Sequence, residues 1–239
     1  MAYQAVFKRY EIKYMLTLEQ KQRVLEEMAP RMRLDKYGRT TIRNIYFDTP
    51  DYRLIRRSIE KPAYKEKLRI RSYRKARHGD KVFVELKKKY KGIVYKRRLS
   101  MSEADAMAWL RGETQIQDSQ IGREISYFKD FYRGLRPTAF LSYEREAYYS
   151  LDGSDFRVTF DDTILCRGDR LSLDEEPDGV PLLEPGKVLM EIKTSGGIPL
   201  WMTALLSRER SFKTSFSKYG IAYQTIFYPE LQGGFTHAR

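Results

Sequence analysis

Eight separate segments of this chain alternate charged or polar residues with apolar ones at a period of two. In an extended strand that period sends the charges to one face and the apolar side chains to the other. Residues 67–74, KLRIRSYR, put Lys67, Arg69, Arg71 and Tyr73 on one side and Leu68 and Ile70 on the other. Val82, Val84 and Leu86 alternate with Phe83, Glu85 and Lys87. After a turn at KKYKG, Ile93, Tyr95, Arg97 and Leu99 alternate with Val94, Lys96 and Arg98, which predicts a hairpin. RYEIKYML sets Arg9, Glu11 and Lys13 against Tyr10, Ile12 and Tyr14. FRVTFDDT sets Arg157, Thr159 and Asp161 against Phe156, Val158 and Phe160, and VLMEIKTS sets Glu191 and Lys193 against Val188, Met190 and Ile192. TTIRNIYFDT and AFLSYEREAYY complete the set with Arg43 and Arg145. The expectation is one large, mainly antiparallel sheet.

Helices punctuate these strands rather than alternate with them, which argues against a doubly wound parallel sheet. Thr17 caps a helix whose Leu18, Val24, Leu25 and Met28 share a face, and Pro30 ends it. Thr49 and Pro50 read as a cap and first-turn proline, Ser102 opens another helix, and Pro199 opens a third in which Leu200, Trp201, Ala204 and Leu205 can cover a sheet. The acidic stretch SLDEEPDGVPLLEPGK reads as a long loop. With no repeat or low-complexity linker, 1–239 reads as a single domain.

The charge of +13 is concentrated. Residues 65–98 hold 15 Lys or Arg against Glu66, Asp80 and Glu85. A basic nucleic-acid-binding tail lacks hydrophobic periodicity, and this block has it. Its charged faces therefore meet either bulk water on an open sheet or one another inside a closed barrel, and an eight-stranded barrel is wide enough for side chains or a ligand. Buried unpaired charge costs several kcal/mol per ion, so the closed arrangement needs water and a polyanion. The single Cys166 excludes an internal disulfide and reads as a small buried hydrophobe, and two histidines exclude a histidine-rich metal site. No apolar run reaches the roughly 18 residues of a membrane span, and the first residues lack a signal-peptide core, so the expected location is cytoplasmic.

Nine short pieces in order, RYEIKY, IYFDT, LRIRSY, VFVELKKK, YKRRLSM, YERE, RVTFDD, LMEIK and FSKYG, cover positions 9 to 220 or so. In that order they resemble the vacuolar transporter chaperone (VTC) domain, the polyphosphate polymerase branch of the triphosphate tunnel metalloenzyme (CYTH-like) superfamily. The resemblance implies an α+β fold, an eight-stranded antiparallel β-barrel forming a tunnel with helices packed outside. It implies that Lys13, Arg69, Arg71 and Lys87 act on the transferring phosphate. Arg9, Lys96, Arg98, Arg145, Arg157, Lys193, Ser217 and Lys218 would grip the remaining phosphates. Glu191, with Glu85 and Glu11, would bind Mn²⁺ or Mg²⁺, with Glu85 equally suited to orienting Lys87. Asp48 and Asp161 read as structural, at a strand end and a turn.

The activity so implied is transfer of the γ-phosphate of ATP to a growing inorganic polyphosphate, with no nucleic acid as partner and with room for a membrane partner. Triphosphatase branches carry Glu-x-Glu-x-Lys where this chain has Arg9, Glu11 and Lys13. A guanidinium for a carboxylate weakens a metal pair and strengthens the hold on phosphate, which favours the polymerase. The rivals are a triphosphatase on the same fold and a non-catalytic binder of polyphosphate or nucleic acid.

Overall fold

The eight alternating segments form eight strands that close on themselves. The structure, a computed structural model, describes residues 6–116 and 118–236. The strands are β1 (Val6–Thr17), β3 (Thr40–Asp48), β4 (Tyr64–Ser72), β5 (Lys81–Tyr90), β6 (Ile93–Ser102), β7 (Arg136–Ser150), β8 (Arg157–Arg167) and β10 (Lys187–Thr194). Each pairs antiparallel with its neighbours in the order β7-β3-β4-β5-β6-β1-β10-β8, and β8 returns to β7 to complete the ring. Short strands β2 (Met32–Leu34), β9 (Val180–Pro181) and β11 (Lys213–Thr214) add to β7, β8 and β1. Closure is what removes the open-sheet alternative, because it turns the charged faces toward one another.

Apolar faces point outward and are covered by helices. Leu68, Ile70, Val82, Val84 and Leu86 are fully buried against α3 (Glu103–Arg111) and α4 (Gln120–Phe131), which supply Trp109, Leu110, Ile125 and Phe128. Leu16, Val158, Phe160, Val188, Met190 and Ile192 meet Val24 and Met28 of α1 (Leu18–Met28) and Met202 and Leu205 of α5 (Leu200–Arg208). Burying each such side chain contributes about 1.5–3 kcal/mol. A third cluster sits on the charged side of the ring: Tyr46, Leu141, Tyr143, Cys166 and Leu189 pack on Tyr219 and Ala222 of α6 (Lys218–Ala222) and on Tyr223 and Phe227 of the π-helical turn Tyr223–Phe227. The C-terminal segment thus fills part of one mouth, before α7 (Tyr228–Thr236). Cys166 is the buried hydrophobe expected, its thiol pushed up to about 12 by burial.

Local chemistry explains the boundaries. Thr17 and Gln20 form a reciprocal capping box, and the Ser102 hydroxyl accepts from the Asp105 N–H, as their types predict. The β5–β6 turn uses Lys91 at φ 44° and Gly92 at φ 87°, the positive pair that a two-residue hairpin demands. Helix α2 (Arg53–Ile59) starts later than Thr49-Pro50 suggests, because Tyr52 is left-handed at φ 58°. Its free N–H groups at Leu54 and Ile55 donate instead to the buried Asp48 carboxylate, which also accepts from the Tyr219 hydroxyl at 3.1 Å. Leu18 and Leu200 do not join the core, at 60% and 86% exposed, and Ala204 is exposed as well; α1 buries Val24 and Met28, and α5 buries Met202, Leu205 and Leu206. The acidic loop after β8 lies on the outside, with Glu176 2.9 Å from Lys75 and 3.7 Å from Arg43. Arg43 is therefore on the outer face, and its neighbours Asn44 and Tyr46 take the inner one.

Candidate active site: a ring of cations around four carboxylates

Strand register assembles the site. Arg69 lies opposite Glu85 and Glu85 opposite Arg98, while Lys67, Lys87 and Lys96 form the next row. The Glu85 carboxylate has no solvent exposure and collects Arg69 Nε at 3.0 Å, Arg98 Nε at 2.7 Å, Lys96 Nζ at 3.5 Å and Arg71 Nε at 3.9 Å. Burial alone would raise its pKa, but Arg71, Arg69, Lys96 and Arg98 hold it well below the usual carboxylate range. The opposite wall carries a second cluster. Asp161 accepts from Arg145 Nε and Lys218 Nζ, each at 2.6 Å. Glu191 lies 3.3 Å from both Lys13 and Lys218, 3.1 Å from Lys193 and 3.5 Å from Arg145. Glu11 pairs with Lys87 at 2.6 Å; burial opposes its ionisation, but the Lys87 charge prevails and takes the carboxyl down to about 2.

The sequence-derived residues thus converge, with three refinements. Glu85 holds arginines in place and does not contact Lys87, whose partner is Glu11. Asp161 is not at a turn: it lies inside β8 as a counter-ion of the site. Arg9 and the exposed Arg157 stand together at the rim, where burial and then the Arg157 charge lower the Arg9 pKa. Ser217 caps α6 and accepts from Lys67 Nζ at 2.8 Å, and Lys13 Nζ donates to the Phe216 carbonyl at 2.7 Å. Sequence reasoning missed Asn44, Tyr46 and Tyr143. Asn44 Oδ1 and the Tyr143 hydroxyl accept from Arg71 at 2.9 and 2.8 Å, and the Tyr46 hydroxyl accepts from Arg69 at 3.0 Å. Tyr143 is two residues before Arg145 and Asn44 faces Arg71 in register, so alternation contained the signal, although neutral side chains did not draw attention to it.

Cations outnumber carboxylates. Among the described residues Lys13, Lys67, Arg69, Arg71, Lys87, Lys96, Arg98, Arg145, Lys193 and Lys218 surround four carboxylates, Glu11, Glu85, Asp161 and Glu191. The excess presses on the lysines. Burial, and then Arg98, Arg71 and Arg69, overcome Glu85 and pull the Lys96 ammonium down to about 7, and burial takes Lys193 to about 8. A Lys96 pKa of about 7 when folded, against an ordinary value of 10.5, makes the unfolded chain bind more protons between those pH values. Through this group, stability of the empty protein should rise with pH across that window. An inorganic triphosphate bound beside Lys96 restores the proton, so its affinity should fall as pH rises above 7. Calorimetry at pH 8 in buffers of different ionisation enthalpy should show proton uptake; a buffer-independent heat would contradict it.

Among the described residues no three Asp, Glu, His or Cys side chains are grouped to hold a metal ion. Glu191 and Glu11 are near enough for each to disfavour the other's charge, so a hard divalent cation fits here only where phosphate oxygens and water complete its shell. Among the described residues no helix is long and apolar enough to cross a membrane.

A search of curated proteins finds no match. Among solved structures, a candidate adenylate cyclase from Bacillus halodurans is similar at a TM-score of 0.56 and 14% identity, over 90% of this chain and 96% of its own. A candidate adenylyl cyclase from Hippeastrum with a dominant triphosphatase activity is similar at a TM-score of 0.50 and 16% identity, over 89% of this chain and 94% of its own. At these identities the likeness is one of fold, and it is the fold of the ring described above. The family model of the VTC domain matches residues 8–227, which takes in every ring strand but the first two residues of β1 together with α6, and on that match the chain belongs to the VTC domain family.

Proposed function

We propose that the protein is a polyphosphate polymerase that transfers the γ-phosphate of ATP to the end of an inorganic polyphosphate chain. The observation that carries this reading is the enclosed excess of cations over carboxylates, which suits a linear polyanion and little else. Phosphoryl transfer needs positioning and charge stabilisation rather than a protein nucleophile. Lys13, Arg69, Arg71 and Lys87 are assigned to the transferring phosphate, and Arg9, Lys96, Arg98, Arg145, Arg157, Lys193, Ser217 and Lys218 to its neighbours. In this reading the arginine forks take two phosphate oxygens each, and Glu85 and Asp161 keep those forks oriented when the tunnel is empty.

Glu191, with Glu11 beside it, would hold Mn²⁺ or Mg²⁺ jointly with phosphate oxygens, and the ion would supply further neutralisation of charge. Glu85 has no solvent exposure and accepts from Arg69 and Arg98 at 2.7 Å each, whereas the cations around Glu191 stand back at 3.1–3.5 Å, so Glu85 is assigned to positioning and not to metal. The deciding experiment incubates the protein with ATP and either metal, with and without a short polyphosphate primer, and resolves ADP, phosphate and polymer together. ADP matched by polymer is expected. ADP matched by free phosphate would make the protein a triphosphatase, and saturable binding without turnover would make it a binding protein. In the same assay Glu191→Gln should abolish the response to metal, and an intact response would move the ion elsewhere.

A further inference from the structure

The outer face of the ring holds a buried cation that is short of partners. Arg43 of β3 lies between Ser142 of β7 and Ser72 of β4 in register. It is 7% exposed, yet among the described residues its Nε has no hydrogen-bond partner and its carboxylate partner, Glu176, stands at 3.7 Å. A guanidinium carries five N–H donors, and a charged group left unsatisfied on burial is costlier than a neutral one. The Ser142 hydroxyl beside it is also buried without a partner, whereas the Ser72 hydroxyl is satisfied by the Arg74 backbone. Glu144, next along β7 on this face, is engaged by the Thr41 hydroxyl at 2.6 Å and by Arg39 at 3.8 Å. The acidic loop that crosses Arg43 is anchored on both sides of it. Arg167 of β8 donates to the Glu176 and Arg170 carbonyls at 3.3 and 3.0 Å and to the Asp178 carboxylate. The carbonyl of the buried Leu173 accepts from the Ala76 N–H at 3.1 Å.

We propose that Arg43, Ser142 and Lys75 form a site on the outer face for a small tetrahedral oxyanion such as orthophosphate, and that the Glu176 carboxylate stands in for that ion. Lys75 Nζ lies 2.9 Å from one oxygen of Glu176 and Arg43 Nη2 lies 3.7 Å from the other, so both cations already address a single anion. Two oxygens satisfy Lys75 and leave Arg43 beyond hydrogen-bond reach. An ion with four oxygens would take the Arg43 fork, the Ser142 hydroxyl and Lys75 together. The exchange is easy for the loop. Glu176 is 73% exposed and Lys75 44%, and an ion pair so exposed is weak. The side chain of Glu176 can turn into solvent while Arg167 and Leu173 keep its backbone in place. The enclosure of Arg43 admits a small ion and excludes a macromolecule. No residue of this site is among those assigned to the ring interior, so the proposal goes beyond the polymerase reading and does not rest on it.

The test is a titration of the protein with orthophosphate, followed by NMR on the arginine Nε–H signals. The signals of Arg43 and Arg69 are identified by their loss in Arg43→Lys and Arg69→Lys, and they report the outer face and the ring interior in one sample. The Arg43 signal should shift and saturate. Glu176→Gln removes the competing charge and should tighten the binding seen at Arg43 about fivefold. Ser142→Ala removes one donor and should weaken it about fivefold. Neither variant should alter the response of Arg69, and melting curves verify folding; loss of an unpartnered hydroxyl should cost little stability. An Arg43 signal that stays still, or that moves equally with chloride at the same ionic strength, would overturn the site. So would Arg43 and Arg69 responding with one common affinity in all three proteins, which would assign the effect to the ring. The polymerase reading is judged by turnover of ATP, so it can fail with the Arg43 response intact, and the site can fail with turnover intact.

Discussion

Glu85→Gln should lower the stability of the empty protein by about 3–5 kcal/mol, and tripolyphosphate should return most of that loss. The substitution keeps shape and removes one charge, and that charge is the shared counter-ion of Arg69, Arg71, Lys96 and Arg98. Without it four largely enclosed cations face one another with little solvent to screen them. For a chain of 239 residues the loss corresponds to a fall of roughly 6–20 °C in Tm. A bound triphosphate supplies the missing anion, and at a hundredfold excess over Kd it adds about 2.7 kcal/mol. The variant should also bind tripolyphosphate more tightly than the unaltered protein, because binding now relieves repulsion. Melting curves with and without the ligand check both statements. An unchanged Tm would mean that the arginines do not depend on Glu85, and equal stabilisation of both proteins would mean that the polyanion sits elsewhere.

This dependence on shared counter-ions explains what could and could not be read from the chain. All eight ring strands are legible, because each must keep Leu68-like residues toward the helices and Arg69-like residues away from them, and a slip of one residue would reverse both. Closure is not legible. Period-two alternation is the same for a wet open face and for an enclosed one, and the β7–β8 pairing that decides between them joins segments whose patterns say nothing of each other. Arg43 shows a related failure. Charge pattern names Arg43 as the charged residue of its strand without deciding its face; register gives the inner face to Asn44 and Tyr46, and Arg43 meets Glu176 of the outer loop. Asp161 shows another: a doublet, Asp161-Asp162, reads as a turn, whereas Thr163 at φ 46° bulges the strand and lets it continue. Helix α4 carries signals of the same kind as α1, a Ser119 cap and an apolar face with Ile125 and Phe128, which the charge pattern of the strands overshadowed; in the C-terminal segment Ser217 caps α6, and its placement comes from tertiary packing on Tyr219 and Tyr223.

Arg71→Ala should reduce kcat by about 10²–10³ while the protein remains folded. Arg69 and Arg98 spend their forks on Glu85, and Arg145 spends its fork on Asp161. Arg71 is as deeply buried, yet its close partners are neutral: Asn44 Oδ1 at 2.9 Å and the Tyr143 hydroxyl at 2.8 Å, with Glu85 only at 3.9 Å. A guanidinium oriented by uncharged acceptors keeps its charge for an incoming phosphate and needs no reorganisation when that charge develops. Removing it also takes one cation from a crowded ring, so its cost in stability should be well below that of Glu85→Gln. Arg71→Lys separates charge from geometry: a lysine keeps the positive charge but cannot reach Asn44 and Tyr143 together, and it should recover only part of the lost rate. If both variants fold, bind tripolyphosphate and turn over ATP at the unaltered rate, Arg71 is a structural cation, and the transferring phosphate belongs beside Lys13 and Arg145 on the opposite wall.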